Sequence, residues 1–116
     1  MPNNKITIAN ITETAGKKQS NYKFHVLLDD TVIIPGFHTY AGIIQAPHHK
    51  GKNGWFPSVY ISPEIARGIY KEFVKVAGDQ GLEVKLHSLE TNLKYLAYDE
   101  VVVDRLNMAA AEREVA

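Results

Sequence analysis

The densest concentration of chemistry in this sequence is the stretch Pro47-His48-His49-Lys50-Gly51-Lys52-Asn53-Gly54-Trp55-Phe56. It sets two lysines and two histidines beside two aromatic rings. Lysine neutralises phosphate, glycine lets backbone N–H groups approach a ligand, and an indole ring stacks on a nucleobase. The combination points to a nucleic-acid contact, with Lys50 and Lys52 on phosphate, Trp55 on a base, and His48 and His49 beside them. The plainer reading is a solvated hairpin loop whose aromatics belong to the core. A second basic turn, Lys17-Lys18 with Lys23 close behind, offers further phosphate contacts. Arg67, Lys71 and Lys75 recur every four residues and so align as one stripe on a helix, diluted by Glu64 and Glu72. An ordinary charged loop tip and a solvated helix face are the default readings of these two groups.

Other chemistries find little support. With no cysteine, disulfides, thiolate zinc sites and cysteine nucleophiles are excluded. His48 and His49 are adjacent and diverge, His25, His38 and His87 are scattered, and neither H-x₃-H nor H-E-x-x-H spacing occurs. Asp29-Asp30 resembles a paired-carboxylate device less than it resembles a tight turn. No G-x-S-x-G, phosphate-binding loop or dinucleotide fingerprint is present. The expectation is a protein that is not an enzyme and takes no cofactor or metal.

The elements that must position these residues follow from patterning. A chain of 116 residues, 45% hydrophobic and 22% charged, is one domain's worth of ordinary globular sequence. No apolar run approaches a membrane span, and Met1-Pro2-Asn3-Asn4-Lys5 lacks a signal-peptide core, so the expected location is cytoplasmic. The net charge of zero hides an asymmetry. Residues 1–75 hold nine Lys/Arg against five Asp/Glu, whereas residues 76–116 hold four against eight. That split suggests a charged partner, or an acidic cover over a basic front.

Lys5 to Ile11 alternates as a strand, and Tyr22 to Leu28 sets Phe24, Val26 and Leu28 on one face and Lys23 and His25 on the other. Between them, residues 16–21 read as a hairpin loop. After the Asp29-Asp30 turn comes the β-branched run Thr31 to Ile34, which Pro35-Gly36 interrupts, implying an edge strand or a bulge. Gly42 to Ala46 and Trp55 to Ile61 read as two more strands. Ser62-Pro63-Glu64 opens a helix with a cap, a first-turn proline and a first-turn carboxylate. Ile65, Ile69, Phe73 and Val76 give that helix an apolar face, and Gly78 and Gly81 end it. Leu82 to Leu86 alternates and suggests a strand, Ser88 to Tyr98 carries no clear pattern, and Asp99 to Val115 has helix formers and an Asp99 cap, although Val101-Val102-Val103 suits an extended segment equally. The fold class is α+β: a mostly antiparallel sheet of about five strands packed by an amphipathic helix.

Segment 22–75 resembles the SpoVG family (stage V sporulation protein G, also called septation protein). The resemblance rests on Leu27-Leu28-Asp29-Asp30, the extended run after it, Gly42-Ile43-Ile44-Gln45-Ala46-Pro47, a basic loop reaching Gly54, and a strand leading into the Ser62-Pro63-Glu64 helix. It implies a sheet packed on a helix, usually in a homodimer, that binds DNA or RNA as a regulator. By position, Lys50 and Lys52 match the family's basic loop. Residues 1–81 then form the family-like core and residues 82–116 an extension, either part of the same domain or a tail that meets a partner. The alternative function is a protein-interaction module using a sheet edge or that acidic segment.

Overall fold

The computed structural model describes residues 5–97. Among the described residues the eight elements, in chain order, are strands β1 (Ile6–Thr14), β2 (Asn21–Leu28), β3 (Val32–Tyr40), β4 (Ile43–Gln45), β5 (His48–Gly51) and β6 (Gly54–Pro57), then helices α1 (Pro63–Asp79) and α2 (Leu89–Leu96). Strands β1 to β4 form one antiparallel sheet in chain order, and β5 and β6 form a separate two-stranded ribbon. The α+β class holds, with the strands divided four and two.

Strand periodicity decides which face is buried. Tyr22, Phe24 and Val26 of β2, Phe37 and Thr39 of β3 and Ile44 of β4 all point inward and are buried. Helix α1 covers that face with Ala66, Ile69, Phe73 and Ala77. Phe24 is the centre of the contact, its ring 4.7 Å from Phe73 and 5.8 Å from Phe37. The helix begins as the sequence dictates. Ser62 Oγ accepts the Ile65 N–H at 3.3 Å, with Pro63 in the first turn. It ends at Gly81 (φ +72°), where Gly81 N–H reaches Gly78 O at 3.0 Å and Leu82 N–H reaches Ala77 O at 2.9 Å. That is a double C-terminal cap requiring a left-handed residue, which glycine supplies.

Pro35-Gly36 proves to be both an edge and a bulge. Phe24 pairs with Phe37 and Val26 with Ile34, so His25 alone faces Pro35 and Gly36 (φ +94°). On its other side β3 pairs with β4 only through His38, Thr39 and Tyr40, so Pro35 lies where the strand has no β4 partner and its missing N–H costs nothing.

Two expectations change, and one open stretch is filled. The strand expected over Trp55–Ile61 stops at Pro57, and Ile61 instead makes an isolated parallel bridge to Ala97. Leu82–Leu86 is not a strand. Its alternation is real, since Leu82, Val84 and Leu86 pack on the core while Glu83 and Lys85 are exposed, but no ladder flanks it. Instead, side chains hold its carbonyls: Gln19 Nε2 donates to Lys85 O at 3.1 Å and Tyr22 OH to Glu83 O at 3.4 Å. The unassigned stretch contains α2, capped by Ser88, whose Oγ accepts the Thr91 N–H at 3.2 Å. Leu96 is buried in the main core, so residues 82–97 belong to it. The helix expected after Asp99 lies outside the described residues.

The β3–β4 turn is Ala41-Gly42, with φ of +49° and +83°. Both positions of such a two-residue hairpin turn are left-handed, and alanine is a poor choice for the first. Ala41→Asn is expected to stabilise the protein by about 0.5–1 kcal/mol, read as a Tm rise of a few degrees. An unchanged or lower Tm would show that the turn does not carry this strain.

Candidate nucleic-acid interface

No described helix covers the outer face of the four-stranded sheet. Side chains alternate, so the partners of the buried residues are aligned there in rows. Thr12, Lys23, His38 and Gln45 form one row across all four strands, each paired with the next. Two residues further along the strands lies a row ending in Tyr40 and Ile43. The His38 ring is fixed within its row by Gln45 Oε1 at 2.9 Å from Nε2 and by Gly36 O at 3.3 Å from Nδ1.

One end of this face is walled by the ribbon and by α2, leaving an open groove of about 650 Å³. Its floor is Lys23, His38 and Gln45, and its sides are Pro47, His48, Trp55 and Tyr95. Ribbon pairing explains which side chains face the groove. His48 opposes Pro57 and Lys50 opposes Trp55, so these four share one side of the ribbon, while His49 and Phe56 share the other. Trp55 and Tyr95 are 67% and 63% exposed, large rings left unpacked on the same groove. His48 Nδ1 donates to Ala46 O at 2.7 Å, which leaves Nε2 as the ring's remaining polar atom.

Helix α2 is held in place by one buried side chain. Asn92, fully buried, accepts the Ile44 N–H at 2.7 Å on the side of β4 that has no strand neighbour. Its amide nitrogen faces three carbonyls: His87 at 3.0 Å, Ser88 at 3.2 Å and Gly42 at 3.3 Å. Asn92 thus stands in for a fifth strand at that point, and the helix it anchors carries Tyr95 to the groove.

The sequence-derived candidates are only partly brought together. His48 and Trp55 line the groove and Lys50 stands beside Trp55 on the same side of the ribbon. Lys52 is at the ribbon's exposed tip. His49 turns to the opposite side, its Nδ1 3.1 Å from Ser58 Oγ and its ring 6.2 Å from Phe56. Lys17 and Lys18 line a second groove of about 450 Å³ with Asn21 and the exposed Tyr40, at the other end of the outer face. Arg67, Lys71 and Lys75 are exposed on α1, which lies against the inner face, so they point away from both grooves. Sequence reasoning missed His38, Gln45 and Tyr95. Alternation marks His38 and Gln45 as outward-facing, but their pairing depends on register, and Tyr95 depends on where α2 docks.

Among the described residues the one ion pair is Lys5 with Asp30, at 3.0 Å and largely exposed, so no described carboxylate neutralises Lys17, Lys18, Lys23 or Lys50. Also among the described residues, no three His, Asp or Glu side chains converge as metal ligands, and no helix is long and apolar enough to cross a membrane. The phenol of Tyr22 is raised above its ordinary 10.0 by burial, with Glu13 and Glu83 adding to the effect, and it lies under the sheet away from the groove. Comparison with protein-family models, curated proteins and solved structures found no match to this chain.

Proposed function

We propose that this protein binds single-stranded nucleic acid on the outer face of its sheet and acts as a non-enzymatic regulator. The observation that carries the reading is the pair of unpacked rings, Trp55 and Tyr95, on a groove floored by Lys23, His38 and Gln45. A globular domain ordinarily packs rings of this size, and rings presented beside lysines that no described carboxylate pairs match what an unpaired strand offers, base faces next to phosphates. Duplex DNA keeps its base faces stacked inside, so the same surface meets only its backbone. Tyr40 continues the track about 7 Å further along the strands, close to one nucleotide step, and Lys17 and Lys18 share the second groove with it. The resemblance of segment 22–75 to a nucleic-acid-binding family supports the same reading.

The test is anisotropy of labelled oligo(dT), oligo(U) and a duplex across a salt series. Binding is expected to favour single strands and to fall steeply with salt. Lys50→Ala combined with Lys52→Ala is expected to flatten the log–log slope by about 1.4 for a single strand. An unchanged slope removes the ribbon from the contact, and no binding at low salt removes the function.

A second reading has its own observation. Among the described residues strand β3 lacks a neighbour beside Val32 to Pro35 on its β4 side, and Ile33 there is 61% exposed, so that edge offers a short ladder to another chain, a second copy included.

A further inference from the structure

We propose that residues 82–86 pair with the same residues of a second copy of this chain, antiparallel and centred on Val84, forming a two-fold symmetric contact. This surface is not the one the nucleic-acid reading uses, and its test needs no oligonucleotide.

The backbone is the first argument. Leu82 to Leu86 alternates in burial as a strand does, yet it joins no ladder among the described residues. One of its edges is occupied, since Gln19 holds Lys85 O and Tyr22 holds Glu83 O. Successive residues of an extended chain turn their polar groups to opposite edges, so those of Leu82, Val84 and Leu86 lie on the other one. There, among the described residues, the N–H and C=O of Val84 and Leu86 and the C=O of Leu82 have no partner. Such groups beside apolar side chains need water or another strand. In a two-fold pair Val84 exchanges both bonds with the partner's Val84, and Leu86 N–H reaches the partner's Leu82 O. The Leu82 N–H is already held by Ala77 O at 2.9 Å.

Side chains are the second argument. About Val84, the run Leu82-Glu83-Val84-Lys85-Leu86 reads the same in both directions with the charge inverted. Antiparallel pairing on that centre sets Glu83 of each copy against the partner's Lys85 on the exposed face, and leucine against leucine on the other. Centring the pair on Glu83 or on Lys85 instead would oppose like charges, so one register is selected. Neither Glu83 nor Lys85 has an ion-pair partner among the described residues. The third argument is apolar surface. Leu82, Val84 and Leu86 line an open groove of about 350 Å³ with Tyr70 and Val74 of α1, and Val74 is 48% exposed. A second strand along the free edge covers part of it. A contact this short belongs to the weak class, under about 1,200 Å².

The experiment is sedimentation equilibrium of the full chain over a concentration series reaching about 1 mM, with Glu83→Lys and Lys85→Glu as variants. The unaltered chain is expected to dimerise, and each variant alone to do so at least about tenfold more weakly, because every cross-strand charge pair then repels. An equimolar mixture of the two variants is expected to associate again, since one supplies only cations at these positions and the other only anions. A chain that stays monomeric throughout overturns the proposal. Variants that dimerise as the unaltered chain does assign the contact to another surface, and a mixture that fails to associate rejects the register. Should a variant not fold, hydrogen exchange on the unaltered chain decides: the Val84 amide is expected to become protected as concentration rises, and exchange that ignores concentration overturns the proposal.

Discussion

Trp55→Ala is expected to weaken binding of a single-stranded oligonucleotide by about 10- to 100-fold, the worth of one base–aromatic stack. The indole stands 67% exposed on the ribbon and takes no part in the main core, so thermal stability should change little. Loss of affinity with an unaltered Tm is therefore the signature of a contact rather than of damage. Trp55→Phe keeps a smaller ring face and should restore most of the loss. Pairing Trp55→Ala with Tyr95→Ala makes a thermodynamic cycle across the groove. Rings that hold separate bases give additive losses, whereas rings that enclose the same base give a double loss smaller than the sum. Wild-type affinity in Trp55→Ala would falsify the groove as the binding surface, leaving the lysines of the β1–β2 turn to be tried in its place.

Asn92→Ala should be among the most destabilising single changes in the described fold, at about 2–4 kcal/mol. It deletes an acceptor at 2.7 Å from a buried N–H and a donor facing three carbonyls. The orphaned Ile44 N–H accounts for much of the cost, because water does not reach a position this buried. Asn92→Asp is a sharper probe. It keeps an oxygen for Ile44 N–H but sets a negative charge against the carbonyls of Gly42, His87 and Ser88, so it too should destabilise. Urea denaturation gives the reading, and a loss under about 1 kcal/mol in both variants would show that α2 does not depend on this network. Any folded Asn92→Ala protein should also bind oligonucleotide more weakly, since α2 carries Tyr95.

These two residues were not equally legible in the sequence. Trp55 stood out because the ribbon that presents it is local: the residues with which it shares a face, His48, Lys50 and Pro57, lie within ten positions of it. The start of α1 was legible for the same reason, since Ser62, Pro63 and Glu64 act within one turn. Asn92 was not, because its partners are 48 and 50 residues away, and a polar residue between leucines reads as solvent-facing until β4 is known to lack a neighbour. Leu82–Leu86 shows the opposite error. Alternation reports burial on one side, whereas a strand also needs a backbone ladder, and periodicity carries no information about that. The Pro35-Gly36 interruption fell between these cases. A break was certain, but only the register assigned both of its causes, the bulge opposite His25 and the missing β4 partner.

That interruption also bears on how the molecule survives at high concentration. A strand edge with free amides is a template on which other chains extend a sheet, and unchecked extension ends in fibrils or precipitate. Here the open part of β3 runs only from Val32 before Pro35 removes a donor and Gly36 twists the backbone away. Any intermolecular ladder started on this edge must therefore stop after a few residues. At this edge the bulge acts as a gatekeeper that limits how far a ladder can extend, an effect distinct from anything bound in the groove.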